Sequence, residues 1–192
     1  MGMSSCQSGN GCGHTPAGEN RHSVPVLDPV TSVPRIPASA GALVFDAAGR
    51  LLILKPNYKK GWTVPGGQVQ ANGESPWEAC QRETLEECGL QVEHGRLVCV
   101  DFLRPKPKRP GGVRFLFDCG TFTDDALSTI KVSDDEIDEY RFAKLIDAVK
   151  LLSGPVRRRV AAAAGVERCI YLEEGRPLAA VPSSPGQPVN DS

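Results

Sequence analysis

Short apolar segments separated by turn-forming residues make up the central part of this chain of 192 residues. Two of them, at 40–46 and 51–55, are joined by the turn Ala47-Ala48-Gly49-Arg50, and this pattern predicts a β-hairpin. Further strands are predicted at about 62–64, 97–102, 113–121, 139–143 and 169–172, and helices at about 144–152 and 155–164. The length of the chain favours one domain with tails.

The signals for both ends of another helix lie at residues 75 and 89. Ser75-Pro76-Trp77-Glu78 reads as a capping box with Ser75 at the N-cap, and Gly89 supplies the C-terminal stop. At about 100° per residue, one stripe of this helix is apolar and should pack on a sheet. That stripe consists of Trp77, Cys80, Thr84 and Cys88.

Three carboxylates, Glu83, Glu86 and Glu87, lie together on a different face of this helix, in its C-terminal half. Like charges three or four positions apart cost roughly 0.2–0.5 kcal/mol per pair, and the helix dipole favours cations at this end. The arrangement makes sense if a hard divalent cation such as Mg²⁺ binds there, since such cations prefer oxygen ligands and accompany phosphates. A solvated acidic helix face is the alternative for the cluster taken alone.

The residues around the cluster follow the order of a known motif: Gly67, Glu74, Arg82, Glu83, Glu86, Glu87 and Gly89. This segment resembles the Nudix box, which consists of Gly, Glu and then Arg-Glu-aliphatic-x-Glu-Glu-x-Gly-aliphatic. It departs at two points, because six residues rather than five separate Gly67 from Glu74, and Thr84 holds the aliphatic position. The extra residue falls in the turn Ala71-Asn72-Gly73, where Asn-Gly tolerates a change in loop length.

The predicted elements form a mixed sheet with the box helix on one face and the C-terminal helices on the other, an α/β/α sandwich of the α/β class. The resemblance implies the same fold over about residues 38–150, while its specific motif covers residues 66–90. We therefore expect a Nudix domain at 37–175, preceded by a flexible arm at 1–36 and followed by a loose tail at 176–192. The arm is rich in Gly, Ser, Pro and Asn, and the tail is rich in Pro and Ser.

The resemblance also implies a reaction, the hydrolysis of a pyrophosphate linkage in a nucleoside diphosphate joined to another group (NDP-X). A water activated by Mg²⁺, or by Mn²⁺, would attack phosphorus. Glu83 and Glu87 are the leading candidate metal ligands, Glu86 is close behind them, and the Gly66 carbonyl is a further candidate. Any of the three glutamates is a candidate general base. Arg82 is expected to tie the helix to the loop that carries Glu74, a structural role.

Candidate substrate-binding residues are less specific. Arg104 opens a Pro-rich loop with four cations, and Lys55 and Lys59 lie before the glycine turn, so these side chains are candidates for contacts with phosphates. The acidic stretch 134–139 offers Glu136 or Glu139 as a further carboxylate. Solvated loops are the alternative for both segments, and Arg157-Arg158-Arg159 is interpreted as a solvated helix face.

Composition adds limits rather than chemistry. A net charge of −1 and a pI near 6.3 give no signature of nucleic-acid or membrane binding, and no apolar segment approaches the length of a membrane span. The N-terminus lacks the apolar region of a signal peptide. The 7 cysteines are scattered without paired spacing, which favours a reducing, cytoplasmic setting. A metal site from Cys6, Cys12 and His14 is disfavoured, and the oligomeric state is left open.

Two classes of function follow from these observations. The first is a metal-dependent hydrolase whose partner is a small nucleotide or nucleotide-derived substrate. The second is a binding module on the same scaffold, which senses a nucleotide without turning it over. The enzyme is favoured, because a module that had lost catalysis would tend to lack one of Glu83, Glu86 or Glu87, and all three are present.

Overall fold

An eight-stranded mixed sheet forms the centre of the computed structural model, which describes residues 35–181. The strands are β1 (Ala38–Phe45), β2 (Leu51–Pro56), β3 (Gly66–Gln68), β4 (Arg96–Leu103), β5 (Gly112–Thr121), β6 (Ile137–Ala143), β7 (Ile170–Glu173) and β8 (Arg176–Pro177). The helices are α1 (Pro76–Cys88), α2 (Asp124–Leu127), α3 (Leu145–Leu151) and α4 (Gly154–Ala163). The sheet order is β6-β2-β1-β5-β4-β7-β8, and β3 pairs with β1. The pairs β1–β5 and β4–β7 are parallel and the others antiparallel.

The two faces of the sheet are covered by different helices, as the alternation along β2 requires. Leu51 and Ile53 belong to a core cluster that contains residues of α3 and α4. Leu52 and Leu54 belong to a second cluster, which contains residues of α1. Since successive side chains of a strand point to opposite faces, the four leucine and isoleucine residues fill both layers. The predicted α/β/α sandwich is confirmed.

Helix α1 begins and ends as its sequence predicts. The Ser75 hydroxyl accepts a hydrogen bond from the Glu78 N–H, and the Glu78 carboxylate accepts one from the Ser75 N–H at 2.7 Å. Gly89 ends the helix in the left-handed region with φ of 69°. The Thr84 hydroxyl donates to the Cys80 carbonyl at 2.7 Å, so its polar group is satisfied although the residue is fully buried.

One strand lies later than predicted. Residues 62–64 form only isolated bridges, from Thr63 to Leu54 and from Trp62 to Leu152, whereas the strand β3 begins at Gly66. A Cβ at Gly66 would lie 2.2 Å from the Ala40 carbonyl oxygen, so only glycine allows this strand to approach β1. The prediction missed β3 because the approach depends on a partner more than twenty residues away.

The C-terminal end of the described chain also differs from the prediction. A tight turn at Glu174-Gly175 joins β7 to β8, so pairing continues to residues 176–177, inside the segment predicted to be loose. The short helix α2 was not predicted either. The arm up to residue 34, with Cys6, Cys12 and His14, and residues 182–192 lie outside the described residues. Within 35–181, no helix combines the length and apolar character needed to cross a membrane.

Candidate active site

The pair Gly66-Gly67 opens strand β3, and this glycine turn lies against the acidic face of α1. The Gly66 N–H donates a hydrogen bond of 2.7 Å to Glu87 Oε2, and the Glu87 residue is only 2% exposed. A Cβ on Gly67 would lie 2.3 Å from the carboxyl carbon of Glu83. The turn therefore needs glycine at 67 because the Glu83 carboxylate occupies the space of a side chain. Two of the three predicted carboxylates meet at this turn.

Arg82 joins the loop and the helix. Its Nε donates to Glu74 Oε1 at 2.7 Å, and its Nη2 donates to the Gln68 carbonyl at 3.0 Å. Its Nη1 donates to one oxygen each of Glu83 and Glu86, both at 2.8 Å. Glu74 also accepts from the Gln70 N–H, and its pKa lies below its ordinary value chiefly because of Arg82. These contacts fix the loop despite its extra residue, which falls beside Gly73 at φ of 97°.

Burial and mutual repulsion destabilise the ionised carboxylates at this site. Burial, together with the charges of Glu83 and Glu136, raises the pKa of Glu87 to about 7, although the Gly66 N–H and Lys59 oppose this rise. The pKa of Glu83 is raised by burial and by the charges of Glu86 and Glu136, although Arg82 opposes this. The charge of Glu136 therefore reaches both Glu83 and Glu87, and it belongs to the same electrostatic cluster.

The carboxylates retain oxygens that suit a hard cation. Glu83 Oε2 and Glu87 Oε1 accept no hydrogen bond from any residue in the range 35–181. Across this range, however, no three His, Cys, Asp or Glu side chains converge closely enough to hold a metal by themselves. Arg82 draws one oxygen each from Glu83 and Glu86. The donor set nevertheless fits a divalent cation, because a doubly positive ion relieves the repulsion among oxygen ligands of the kind it prefers.

A cavity of about 490 Å³ adjoins the turn, in the size range of small-molecule sites. One part of its wall comes from Tyr58, Lys59, Gly66 and Gly67. Another part comes from Arg109, Arg114 and Arg159. Lys59 is thus the one cavity residue among the four named substrate candidates, Lys55, Lys59, Arg104 and Glu139, as far as the described chain shows.

The other three candidates lie elsewhere in the structure. Lys55 is exposed on β2, where it is the register partner of Glu139 on β6. The Glu139 carboxylate accepts a hydrogen bond from Arg141. Arg104 pairs with Glu173 at the end of β7, and its backbone N–H donates to Glu174. Of the two carboxylates considered in the segment 134–139, Glu136 rather than Glu139 acts on the glutamates of α1.

The interpretation of Arg159 as part of a solvated face is wrong. Arg159 is only 9% exposed, and its Nε donates a hydrogen bond of 3.0 Å to Asp101, which is fully buried on β4. Arg114 was not singled out by the sequence reasoning. The two-residue alternation of β5 carried a signal, because Arg114 shares a sheet face with Leu116, but the position of α4 above this face is a tertiary property.

The fold, the glycine turn and the acidic helix define the class of protein. The model of the NUDIX domain family matches residues 35–164 of the chain. This chain belongs to the NUDIX family and is a Nudix-type pyrophosphohydrolase, a family that generally uses divalent cations. Among curated proteins, none matches this chain.

Solved structures agree with this assignment. A MutT protein from Methanosarcina mazei is 26% identical, with a TM-score of 0.54 over 66% of this chain and 90% of that one. An Ap4A hydrolase from C. elegans is 25% identical, with a TM-score of 0.53 over 66% and 96%. A MutT NUDIX hydrolase from Burkholderia pseudomallei, 23% identical with a TM-score of 0.55 over 65% and 95%, is similar in fold.

Proposed function

We propose that this chain hydrolyses a pyrophosphate linkage of an NDP-X compound with Mg²⁺, and that Glu83, Glu86 and Glu87 form its metal and catalytic site. One observation carries the proposal. The carboxylates of Glu83 and Glu87 meet at the turn Gly66-Gly67, which lines the cavity, and each keeps an oxygen without a described hydrogen-bond donor. Mn²⁺ is a second candidate ion, since it also accepts oxygen ligands.

The side chains divide the work of positioning. Arg82 orients Glu83 and Glu86 through its Nη1, and the Gly66 N–H orients Glu87. A bound divalent cation would supply charge neutralisation at the phosphates and a lower pKa for water. One of the three glutamates accepts the proton of that water, and the Gly66 backbone is a further candidate ligand.

The cavity supports a nucleotide-derived substrate. Lys59 has its Nζ 5.1 Å from the centre of the Tyr58 ring, and both residues line the cavity, so a cation and an aromatic face are presented together. A phosphate suits the cation, and a base suits the ring. The solved relative named as an Ap4A hydrolase supports the choice of a nucleotide-derived compound. The free cysteines Cys80, Cys88, Cys99, Cys119 and Cys169 support a reducing, cytoplasmic location.

Turnover on a panel of NDP-X compounds tests the proposal. The panel contains nucleoside triphosphates, dinucleotides, nucleotide sugars and coenzyme A, each with Mg²⁺, with Mn²⁺ and after chelation. We expect phosphate or nucleoside monophosphate release that requires the cation and rises toward alkaline pH.

Two Glu→Gln variants, one in the proposed site and one outside it, provide the comparison of turnover. Glu83→Gln should lose turnover by orders of magnitude, whereas Glu93→Gln, an exposed glutamate after α1, should keep it. Full activity after rigorous chelation contradicts the proposed mechanism. Tight binding of a panel compound without any turnover would instead favour a module that senses nucleotides.

A further inference from the structure

The cavity wall contains three arginines that come from different elements. Arg109 lies in the loop between β4 and β5, Arg114 lies on β5, and Arg159 lies on α4. The same cavity is lined by Gly66 and Gly67 at the acidic site. Three guanidinium groups in one cavity produce strong repulsion unless anions compensate them. The carboxylates around them therefore decide what this wall can bind.

Two carboxylates compensate only part of this charge. Asp101 Oδ2 accepts a hydrogen bond of 3.0 Å from Nε of Arg159 and forms an ion pair with its Nη2 at 3.0 Å. Glu174 accepts two hydrogen bonds of 2.8 Å from Nη2 of Arg109. A single turn holds both carboxylates in place, because the Gly175 N–H donates to Asp101 at 2.9 Å. Asp101 and Glu174 are positioning residues, since each fixes the guanidinium that it pairs with.

Arg114 has no carboxylate partner among the residues that the structure describes. Its N–H groups donate only to the carbonyls of Pro37, Gly111 and Val113, at 3.2–3.4 Å. Burial lowers the pKa of Arg114, and the positive charges of Arg159 and Arg109 lower it further, although the charge of Asp101 opposes this. The wall thus carries one positive charge more than its two partner carboxylates compensate.

One of the three arginines of the cavity wall, Arg109, also has a buried donor without a partner among the described residues. Arg109 Nε is buried and has no hydrogen-bond partner in the described chain. Buried polar groups are nearly always hydrogen-bonded, and an unsatisfied donor costs about 1–3 kcal/mol. An anion in the cavity would compensate the excess charge of the wall, because a guanidinium group presents a planar fork of donors to phosphate oxygens.

We propose that Arg109, Arg114 and Arg159 form a phosphate subsite that binds a second phosphate group of the substrate, apart from the pyrophosphate at the acidic helix. The inference rests on the proposed function, and it narrows the substrate to NDP-X compounds that carry a phosphomonoester on X or on the ribose. A phosphomonoester has a charge of about −1.5 to −2 at pH 7, which matches a wall with excess positive charge.

Matched ligand pairs test this subsite. NADP⁺ differs from NAD⁺, and coenzyme A from dephospho-coenzyme A, by one phosphomonoester. Calorimetric titration in EDTA measures affinity in the absence of metal and turnover. We expect the full chain to bind the phosphorylated member of at least one pair about tenfold or more tightly than its partner. Equal affinities in both pairs, or no binding of either phosphorylated compound, overturn the subsite.

Three variants locate the preference. Arg114→Gln and Arg109→Gln should each remove most of the affinity difference within a ligand pair. Two such variants are used so that the test still stands if one of them does not fold. Arg96→Gln is the matched control, because Arg96 pairs with Asp118 outside the cavity wall, and it should keep the difference. Folded Arg114 and Arg109 variants that keep the full difference, with cooperative melting as the check of folding, also overturn the subsite.

The outcome separates this inference from the proposed function. Hydrolysis of NDP-X compounds without any preference for phosphorylated members overturns the subsite alone. Tighter binding of the phosphorylated members without hydrolysis supports the subsite and contradicts the proposed function. The titration contains no divalent cation, so the affinities it measures do not depend on metal bound by the glutamates. A loss of the preference for the phosphorylated ligand in the Arg114 variant therefore reports on the arginines and not on the metal site.

Discussion

Substitution of Glu87 by Gln should stabilise the metal-free protein at alkaline pH. Burial, with the charges of Glu83 and Glu136, raises the pKa of Glu87 from its ordinary 4.5 to about 7. The difference corresponds to roughly 3 kcal/mol, which the folded protein loses when this 2% exposed carboxylate ionises. Gln keeps the shape and accepts the bond from the Gly66 N–H more weakly, at a cost of about 1 kcal/mol. The net gain should be about 2 kcal/mol.

The pH dependence gives this prediction its sign. A carboxyl with a raised pKa in the folded state favours folding fully below pH 4.5, and its contribution is lost as the pH rises through about 7. Glu87→Gln should therefore gain stability at pH 8 and much less at pH 5. A gain of about 2 kcal/mol corresponds to roughly 4–8 °C in melting temperature for a domain of this size.

Urea unfolding in EDTA at pH 5 and pH 8 measures the gain in stability of Glu87→Gln and the dependence of that gain on pH. Glu86→Gln is the matched control, because the Glu86 side chain is 56% exposed and the change should stay within about 0.5 kcal/mol at both pH values. With Mg²⁺ and a nucleotide, the wild type should gain stability by ligand linkage, and Glu87→Gln should lose most of that gain. A variant that is less stable than wild type at pH 8 refutes the reasoning about burial and repulsion.

Three further changes have defined outcomes. Gly67→Ala should reduce turnover by at least about tenfold, since its Cβ would overlap the Glu83 carboxyl at 2.3 Å, and kinetics alongside melting would show whether activity falls without unfolding. Asp101→Asn should destabilise the fold by about 3–5 kcal/mol in urea unfolding, because Arg159 would keep a buried charge without its partner. Deletion of residues 1–34, whose sequence has few large apolar residues, should leave melting and turnover largely unchanged, and an insoluble product would contradict that expectation.

Local signals account for the parts of the fold that the sequence predicted. The capping box at Ser75 and Glu78 acts within one helical turn, and the hairpin of β1 and β2 depends on two short apolar segments on either side of a turn. Strand β3 could not be predicted in the same way. Its pairing depends on the contact of Gly66 with Ala40, which are distant in sequence.

The acidic site could be predicted from local sequence, whereas the arginine wall could not. Glu83 and Glu87 belong to one helix, so their spacing alone brings them to one region. Arg109, Arg114 and Arg159 belong to a loop, a strand and a helix, and only the packing of α4 on the sheet brings them to one cavity. The helical periodicity of the sequence also could not predict that Glu87 is buried, because its burial depends on the Gly66-Gly67 turn that lies against α1.

Isotope labelling tests the central claim, which is that water activated at the glutamates of α1 attacks a phosphorus atom of the pyrophosphate. A panel substrate is cleaved in water enriched in ¹⁸O with Mg²⁺, and mass spectrometry locates the label in the products. The account predicts one ¹⁸O in a single phosphoryl product per cleavage, and formation of that product orders of magnitude more slowly with Glu83→Gln. Label on a carbon of the X group, or phosphoryl labelling by the Glu83 variant at the wild-type rate, would contradict it.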